Sequence, residues 1–254
     1  FLVNQGTPED RYARFVDAVR RIFASTMNKD ALTYRLGRGL DQADEQMALL
    51  VQRVSGSYRS HYFFPDLAGV GLSYNTFVWQ KGMDPKAGML RMVFGLGTRA
   101  VNRVENDYPR IVALDAPLVK AHHDLNDARR FSQHDVDMLN LEENRFVSLP
   151  LTEVMVEGLE AHMELWGIRD FEAIDMMAAA GQPGKNYWIL TFDELLSTTE
   201  FPEIMSRMMK KLEAVPEVAL MAITPNAEDV IERACRTCYL SFNRYNPPTS
   251  ADEL

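Results

Sequence analysis

The sequence predicts an α+β fold, a mixed sheet with flanking helices. Some segments repeat apolar residues at the spacing of a helix, and others are short apolar runs of the kind that form strands. A third observation is that glycine, proline and serine clusters separate these segments. The 254 residues are enough for one large domain or two small ones.

Two helices are predicted at the start of the chain. Thr7 can cap a helix, Pro8 suits the first helical position, and the acids that follow suit the positive end of the helix dipole. Apolar residues then recur at helical spacing to about Met27, so we expect an amphipathic helix that packs on a sheet. A second helix is predicted over residues 29–38, where glycines follow.

Strands are predicted next, because short apolar runs end at turn residues. They cover residues 47–54, 58–64, 69–73, 89–94 and 108–114. Residues 84–88, which contain proline and glycine, form a predicted turn between two of these strands.

The second half of the chain is predicted to mix short helices and strands. Residues 126–131 and 132–138 are polar and are predicted as a helix or loop on the surface, whereas residues 151–163 fit either a strand or a helix. Further strands are predicted over residues 144–149, 187–190, 218–223 and 239–242. Further helices are predicted over residues 171–180, 192–196, 202–215 and 226–235. The proline-rich, acidic tail, residues 246–254, is predicted to be disordered.

Composition excludes several classes of protein. The net charge of −9 argues against a general nucleic-acid binder and against attraction to anionic membranes. No apolar run of about 18 residues predicts a transmembrane helix. Two cysteines are too few for a disulfide framework, so a reducing, cytoplasmic location is expected. Because the sequence starts at Phe1 and not at Met, we expect a piece of a longer protein.

Arginines around a glycine turn predict a surface that binds phosphate. The turn is Gly95-Leu96-Gly97, and glycine lets main-chain amides approach an anion closely while guanidinium groups grip its oxygens. If residues 98–104 are helical, two of the arginines share one face. Gly-x-Gly alone is a weak motif, so a purely structural turn remains the commoner interpretation. The arginines are Arg91, Arg99, Arg103 and Arg110.

Two other groups of reactive side chains are weaker candidates. His122 and His123 are adjacent and so point apart on a helix, and with His134 nearby a solvated surface cluster is favoured over a metal site. Cys235 and Cys238 have CxxC spacing without a second pair, which favours structural thiols over zinc or redox chemistry.

Four stretches resemble a known family. They begin with Ala68-Gly-Val-Gly-Leu-Ser-Tyr-Asn, Gly95-Leu-Gly-Thr-Arg-Ala-Val and Asp107-Tyr-Pro-Arg, and the last is residues 132–146. Together they resemble the PEP/pyruvate-binding (ATP-grasp) domain of phosphoenolpyruvate synthase and pyruvate, phosphate dikinase. The resemblance covers residues 24–146 well and the last hundred residues loosely. It implies the C-terminal lobe region of an ATP-grasp domain, in which residues 1–45 are a helical linker region and residues 46–245 are the nucleotide-binding lobe.

The resemblance also implies ligands for ATP and Mg2+. Backbone groups of Gln52, Arg53 and Val54 would frame the adenine. Phosphates would meet Arg91, Gly97, Arg99 and a catalytic Arg244. The metal would touch Thr98 and Asn243.

The family transfers a phosphoryl group from ATP through a phosphohistidine domain to pyruvate on a barrel domain. Neither domain is in this sequence, so the resemblance implies a nucleotide-binding fragment whose partners are those domains; a homodimer is left open. Thr98 stands where synthases commonly have an acid that helps to hold magnesium. The alternative is therefore a catalytically inactive regulatory or interaction module with a degenerate ATP-grasp site.

Overall fold

The computed structural model describes residues 1–44, 46–49, 51, 53–102, 104–121, 124–155, 163–181, 187–213 and 237–242. Internal contacts divide the chain into two units. The first unit is Phe1–Val54 with Leu139–Phe146, and the second is Ser55–Met138 with Val147–Leu254. The described part contains helices and antiparallel sheets, which confirms the predicted α+β class.

The elements of the described residues are labelled in chain order. Helices α1 to α9 span Pro8–Ser25, Lys29–Gly37, Thr98–Val101, Leu125–Arg130, Leu151–Val154, Met163–Trp166, Phe171–Ala179, Asp193–Thr198 and Phe201–Glu213. Strands β1 to β10 span Ser57–Arg59, Tyr62–Phe64, Leu67–Leu72, Met89–Val93, Arg110–Ala113, Asp135–Asn140, Arg145–Pro150, Gly167–Arg169, Trp188–Leu190 and Thr237–Phe242. A short 3-10 helix, Pro85–Ala87, lies in the predicted turn. None of the helices in these ranges combines the length and hydropathy needed to cross a bilayer.

Side-chain caps close to each helix start stabilise the two helices of the first unit. Thr7 and Asp10 make a capping box at the start of α1, since each side chain accepts a hydrogen bond from the backbone amide of the other. Asn28 caps α2 through the amide of Ala31. Both predicted helices are confirmed. Within the described residues, however, α1 buries none of its side chains, so the expected packing on a sheet is not seen. Its exposed apolar residues include Tyr12, Phe15, Ile22 and Phe23.

A four-stranded antiparallel sheet in the order β10-β3-β4-β5 organises the second unit. Because successive side chains of a strand point to opposite sides, the sheet has two different faces. Leu90 and Met92 of β4 point into the main core with Trp166, where all three are buried. Val70 and Val93 point to the opposite face and pack in a smaller apolar cluster. Two further sheets have the orders β1-β2-β6-β7 and β8-β9.

Most strand and helix predictions in the described residues are confirmed. Strands β3, β4, β5, β7, β9 and β10, and helices α4, α7, α8 and α9 all lie at predicted positions. Residues 58–64, predicted as one strand, form the hairpin β1-β2 instead. The undecided segment 151–163 is helical at both ends, in α5 and α6. Predictions for residues 218–223, 226–235 and 246–254 lie outside the described residues.

Two predictions are wrong. Residues 132–138 were expected to form a surface helix or loop, but the polar residues of this stretch enter strand β6, which is buried over most of its length. Asp135 and Asp137 of this strand contact Arg99, which is distant in sequence, and a local pattern does not reveal such a contact. Residues 47–54 were expected to form a strand, yet those described there belong to no sheet. Val51 is 71% exposed, so this apolar run is not buried as a core strand would be.

Asp170 joins α4 to the start of α7. Arg129 donates from Nε to Oδ2 and from Nη2 to Oδ1 of Asp170, both at 2.7 Å. Asp170 also caps α7 by accepting from the amide of Ala173 at 3.1 Å. The hydrogen bonds from Arg129 lower the pKa of Asp170, although burial opposes the shift.

We predict that this contact makes the fold sensitive to acid. Because the pKa of Asp170 is lower in the folded state, its contribution to stability is fully present above the unfolded value and is lost as pH falls from about 5 through the folded value. Asp170→Asn keeps a good helix cap and removes the charge. The free energy of unfolding, measured by denaturant titration between pH 7 and 3, should therefore fall less steeply in Asp170→Asn and in Arg129→Gln. Parallel curves for all three proteins would contradict this role.

Candidate functional site

The glycine turn between β4 and α3 is held by strand β6. Gly95 has a φ of +90°, and a Cβ there would lie 2.6 Å from Val136 Cγ1 and 2.8 Å from the Asp137 carbonyl oxygen. The amide of Leu96 donates to that carbonyl at 2.9 Å. Gly95 is therefore required both by the left-handed backbone and by the close approach of β6.

A buried glutamine fixes the entry to the same turn. The side chain of Gln133 accepts from the amide of Phe94 at 2.8 Å and donates to the carbonyl of Phe94 at 2.8 Å. It also donates to the carbonyl of Asp135 at 2.8 Å. Since Gln133 is 3% exposed, these bonds form away from solvent and hold the turn rigidly.

Gly97 differs from Gly95, because its backbone does not demand glycine. Its φ is −70°, and an added Cβ would make only an ordinary contact of 3.4 Å with Ala68. It precedes α3, which begins at Thr98 and is four residues long, so the helix dipole contributes little attraction for an anion. The absence of a side chain leaves the backbone near Gly97 open to close approach.

Arg99 on α3 lies within a cluster of carboxylates. Its Nε donates to Asp137 at 2.9 Å, its Nη1 donates to Asp107, and its Nη2 lies 3.5 Å from Asp135. Nη2 also donates to the hydroxyl of Ser148. The side chains of Arg99, Asp107 and Asp137 are each less than 10% exposed. We call these five residues the Arg99 cluster.

The cluster holds more negative than positive charge. Burial works against the charge of Arg99, but the hydrogen bond and charge of Asp137, with the other carboxylates, outweigh it and raise the pKa of Arg99. Burial raises the pKa of Asp107, and a 2.6 Å hydrogen bond from the amide of His134, together with Arg99, offsets this only in part. Arg99 is thus the cation that lets buried aspartates remain in the fold.

Thr98 does not lie in a set of ligands suited to magnesium. Its hydroxyl donates to Asp137, the same carboxylate that Arg99 binds. A divalent ion at Thr98 would face the guanidinium at close range and would have to displace it. The described part of the chain contains no group of three or more His, Cys, Asp or Glu side chains that could hold a metal ion. The residues around Thr98 therefore do not fit Mg2+.

Arg91 lies at the centre of one sheet face. In the antiparallel register it stands between Val70 of β3 and Ile111 of β5, and it is half-buried. The side chains of all three point to the face opposite the main core. One cation is thus flanked by apolar residues on a sheet surface.

The predicted site residues are spread over several places. Arg110 pairs with Met92, so its side chain points toward the main core and away from the face of Arg91. Arg99 lies in the Arg99 cluster. Arg91 and Arg110 therefore do not line one anion pocket, whereas a site that Arg91 shares with Arg99 stays a prediction. Arg53 and Val54 belong to the first unit, in irregular chain. Outside the described residues lie Gln52, Arg103, His122, His123, Cys235, Asn243 and Arg244.

Sequence reasoning missed the aspartates of the Arg99 cluster. Asp135 and Asp137 are two positions apart, a spacing that places both side chains on one face of a strand. That spacing was the available signal, but it requires that the stretch be recognised as a strand. Asp107 was noted as part of a motif and not as a partner of Arg99.

We predict that Gly95→Ala destabilises the fold by about 2–4 kcal/mol, since it combines a strained φ with a steric clash against β6. Gly181→Ala is the matched control, because Gly181 has a φ of +75° but no described atom lies within 4 Å of an added Cβ. It should cost about 1–2 kcal/mol. Denaturant midpoints measure both changes, and equal losses would show that β6 does not crowd Gly95.

We also predict that Arg99 is needed for stability in the absence of any ligand. Arg99→Gln leaves buried carboxylates without their cation and should cost about 3–5 kcal/mol of unfolding free energy. Arg145→Gln is the control, because its ion pair with Glu143 is exposed and should be worth about 0–1 kcal/mol. If Arg99→Gln unfolded at the wild-type denaturant concentration and only bound ATP more weakly, Arg99 would be a ligand residue.

The family model for the pyruvate phosphate dikinase AMP/ATP-binding domain matches residues 2–213. No curated protein and no solved structure matches the chain significantly. The match supports the family that the motifs suggested and corrects one part of it, because the matched domain is the one that binds AMP or ATP and not one that binds PEP or pyruvate. Because the match covers most of its length, the chain belongs to the pyruvate phosphate dikinase AMP/ATP-binding domain family.

Proposed function

We propose that this domain binds ATP on the sheet face that carries Arg91, as the nucleotide-binding part of a phosphoenolpyruvate synthase-like phosphotransferase. The family match supports nucleotide binding. The observation that carries the location is the position of Arg91 between Val70 and Ile111. An adenine or ribose needs apolar surface and the phosphates need a cation; half-buried Ile111 would supply the first and Arg91 the second.

The contacts of Arg99 make it a poor phosphate ligand, and we propose Arg91 for that role. To bind a phosphate, Arg99 would have to leave Asp137 and Asp107, and the phosphate would then meet those carboxylates. Arg91 is half-buried in an apolar setting, where its interaction with a phosphate is less screened than at an open surface. Gly97 remains a proposed point of backbone approach. Arg53 and Val54, with Gln52 and Arg244, keep the roles that the resemblance implies as predictions.

We further propose that the ATP phosphoryl group passes to a histidine on another domain and then to pyruvate. This part rests on the resemblance to the family. ATP needs positive charge beside its phosphates when a phosphoryl group leaves, and magnesium supplies that charge when it is bound. The residues around Thr98 do not fit that ion, so its ligands would come from elsewhere, Asn243 being one proposed contributor. The cytoplasmic location and the homodimer remain predictions.

A second candidate is an inactive regulatory or interaction module. The observation that favours it is the pairing of Asp137 with both Thr98 and Arg99 at the position where the resemblance leads us to expect an acid for the metal. A protein of this kind would keep the fold and lose magnesium-dependent nucleotide binding.

We predict that Arg91→Gln weakens ATP binding roughly 10- to 100-fold, because a charge-assisted hydrogen bond is lost. Isothermal titration calorimetry of the 254-residue chain with ATP, with and without magnesium, measures the effect. Arg207→Gln, an exposed arginine on α9, is the control and should leave the affinity unchanged.

The comparison of titrations with and without magnesium separates the two candidate functions. Binding that strengthens with magnesium supports the phosphotransferase, and the absence of binding under either condition supports the inactive module. An Arg91→Gln variant that binds ATP as tightly as the unmodified chain would contradict the proposed face.

A further inference from the structure

The ring of His134 lies between the backbone carbonyl groups of two separate segments. Its Nδ1 is 2.9 Å from the carbonyl oxygen of Asn106, and its Nε2 is 2.7 Å from the carbonyl oxygen of Arg129. Both distances are those of hydrogen bonds. The side chain is 49% exposed, so solvent reaches the ring and can exchange protons with it. The proposed nucleotide face does not use this residue.

Both partners of the ring can only accept hydrogen bonds. A neutral imidazole has one N–H group and one nitrogen with a lone pair, so one of its nitrogens would direct that lone pair at a carbonyl oxygen. The charged imidazolium form carries a proton on each nitrogen and donates to both carbonyls. The contacts of His134 therefore fit the protonated ring and neither of the two neutral tautomers.

Each carbonyl belongs to a segment that needs an outside donor. Arg129 lies in the last turn of α4, where carbonyl groups have no partner within the helix. The hydroxyl of Ser132 also donates to this carbonyl, but at the longer distance of 3.3 Å. Asn106 has a φ of +59°, in a turn that a bridge between Val104 and Asp107 closes. A left-handed backbone is unfavourable for a residue with a Cβ, so contacts from outside the turn stabilise it.

Asp107 connects the ring to the Arg99 cluster. Its Oδ1 accepts from the amide of His134 at 2.6 Å and lies 3.9 Å from Nδ1 of the ring. Its Oδ2 accepts from Arg99. Burial raises the pKa of Asp107, whereas the amide of His134, Arg99 and the positive charge of the His134 ring oppose that shift. The proton on the ring therefore helps Asp107 to keep the charge with which it binds Arg99.

The other charged side chains near the ring have partners of their own. On α3, Arg99 donates to Asp107, and on β6, Asp135 lies 3.5 Å from Arg99. On α4, Arg129 donates to Asp170 at 2.7 Å. Asp107 is thus the carboxylate that faces the ring among the described residues. Within the part of the chain that the structure describes, three further charged residues of these segments make no hydrogen bond to the ring: Glu105, Asp127 and Arg130.

We propose that His134 is a proton-dependent latch between the turn at residues 104–107 and the end of α4. With a proton on each ring nitrogen, the latch is closed and Asp107 is held beside Arg99. Once one of these protons is lost, the ring can donate to only one carbonyl, and the turn is released from α4. Histidine is the side chain that ordinarily changes its charge between pH 5 and 8. The latch thus closes at the acidic end of this range and opens at the alkaline end.

Hydrogen exchange of the backbone amides at residues 104–107, measured by NMR on the 254-residue chain at pH 6 and pH 8, tests the latch. Each rate is compared with that of an unstructured peptide at the same pH, which removes the intrinsic effect of pH on exchange. We expect this protection to fall about tenfold between pH 6 and pH 8, because one hydrogen bond to a charged group is lost. Both values lie above the range in which Asp170 loses its charge, so that acid-sensitive contact does not contribute.

Two variants make the result specific. His134→Gln cannot gain a proton and donates from one nitrogen only, so its turn should show the low protection at both pH values. His61→Gln is the control, because His61 lies in the turn between β1 and β2, and this variant should keep the full change between the two pH values.

The ring itself gives a readout that needs no variant, in case His134→Gln does not fold. At pH 6, nitrogen NMR spectra of the imidazole should show both nitrogens protonated, with both N–H protons protected from solvent. Ring protons that exchange as fast as those of free histidine, or equal backbone protection of the unmodified chain at pH 6 and pH 8, would overturn the proposal. So would a pH-dependent change that survives in His134→Gln.

Discussion

The buried pairing of Arg99 with its aspartates is the interaction on which the rest of the second unit depends. Through this one guanidinium, α3 is tied to Asp107 ahead of β5, to Asp137 in β6 and to Ser148 in β7. The carboxylates that it neutralises could not be buried alone, because the desolvation of an unpaired charge costs several kcal/mol. Strand β6 in turn supplies the carbonyl that binds the glycine turn. The turn is therefore held by a strand whose aspartates are neutralised by Arg99.

Alternation along a strand separates arginines that look like one group in the sequence. Arg91 on β4 and Arg110 on β5 occupy opposite faces because the register pairs Arg91 with Ile111 and Met92 with Arg110. Arg91 then lies half-buried between Val70 and Ile111, and Arg110 is buried beside Asp193. Closeness in sequence suggested a single phosphate pocket, but the register places Arg91 and Arg110 on opposite faces of the sheet.

What the sequence predicted well was set by nearby residues. The start of α1 at Thr7 and Pro8, and the runs that form strands β3 and β4, depend on neighbours within a few positions. Strand β6 was missed because Asp135 and Asp137 look like surface residues until Arg99, 38 positions from Asp137, is brought to them. The apolar run at residues 47–54 was misassigned for the opposite reason, since hydrophobicity alone does not supply a neighbouring strand. For the candidate site, the sequence indicated the arginines, but it did not indicate the aspartates that contact Arg99.

The charge balance of the Arg99 cluster also bears on where a nucleotide can sit. Three aspartates face one arginine, so the surroundings of Asp137 repel a phosphate that approaches the turn from the side of β6. Arg91 stands between the apolar side chains Val70 and Ile111 of the neighbouring strands. On the proposed face, a polyphosphate would be drawn toward Arg91 and kept away from β6. In a chain with a net charge of −9, attraction for an anion has to be local, and it has to be shielded from the acidic surface.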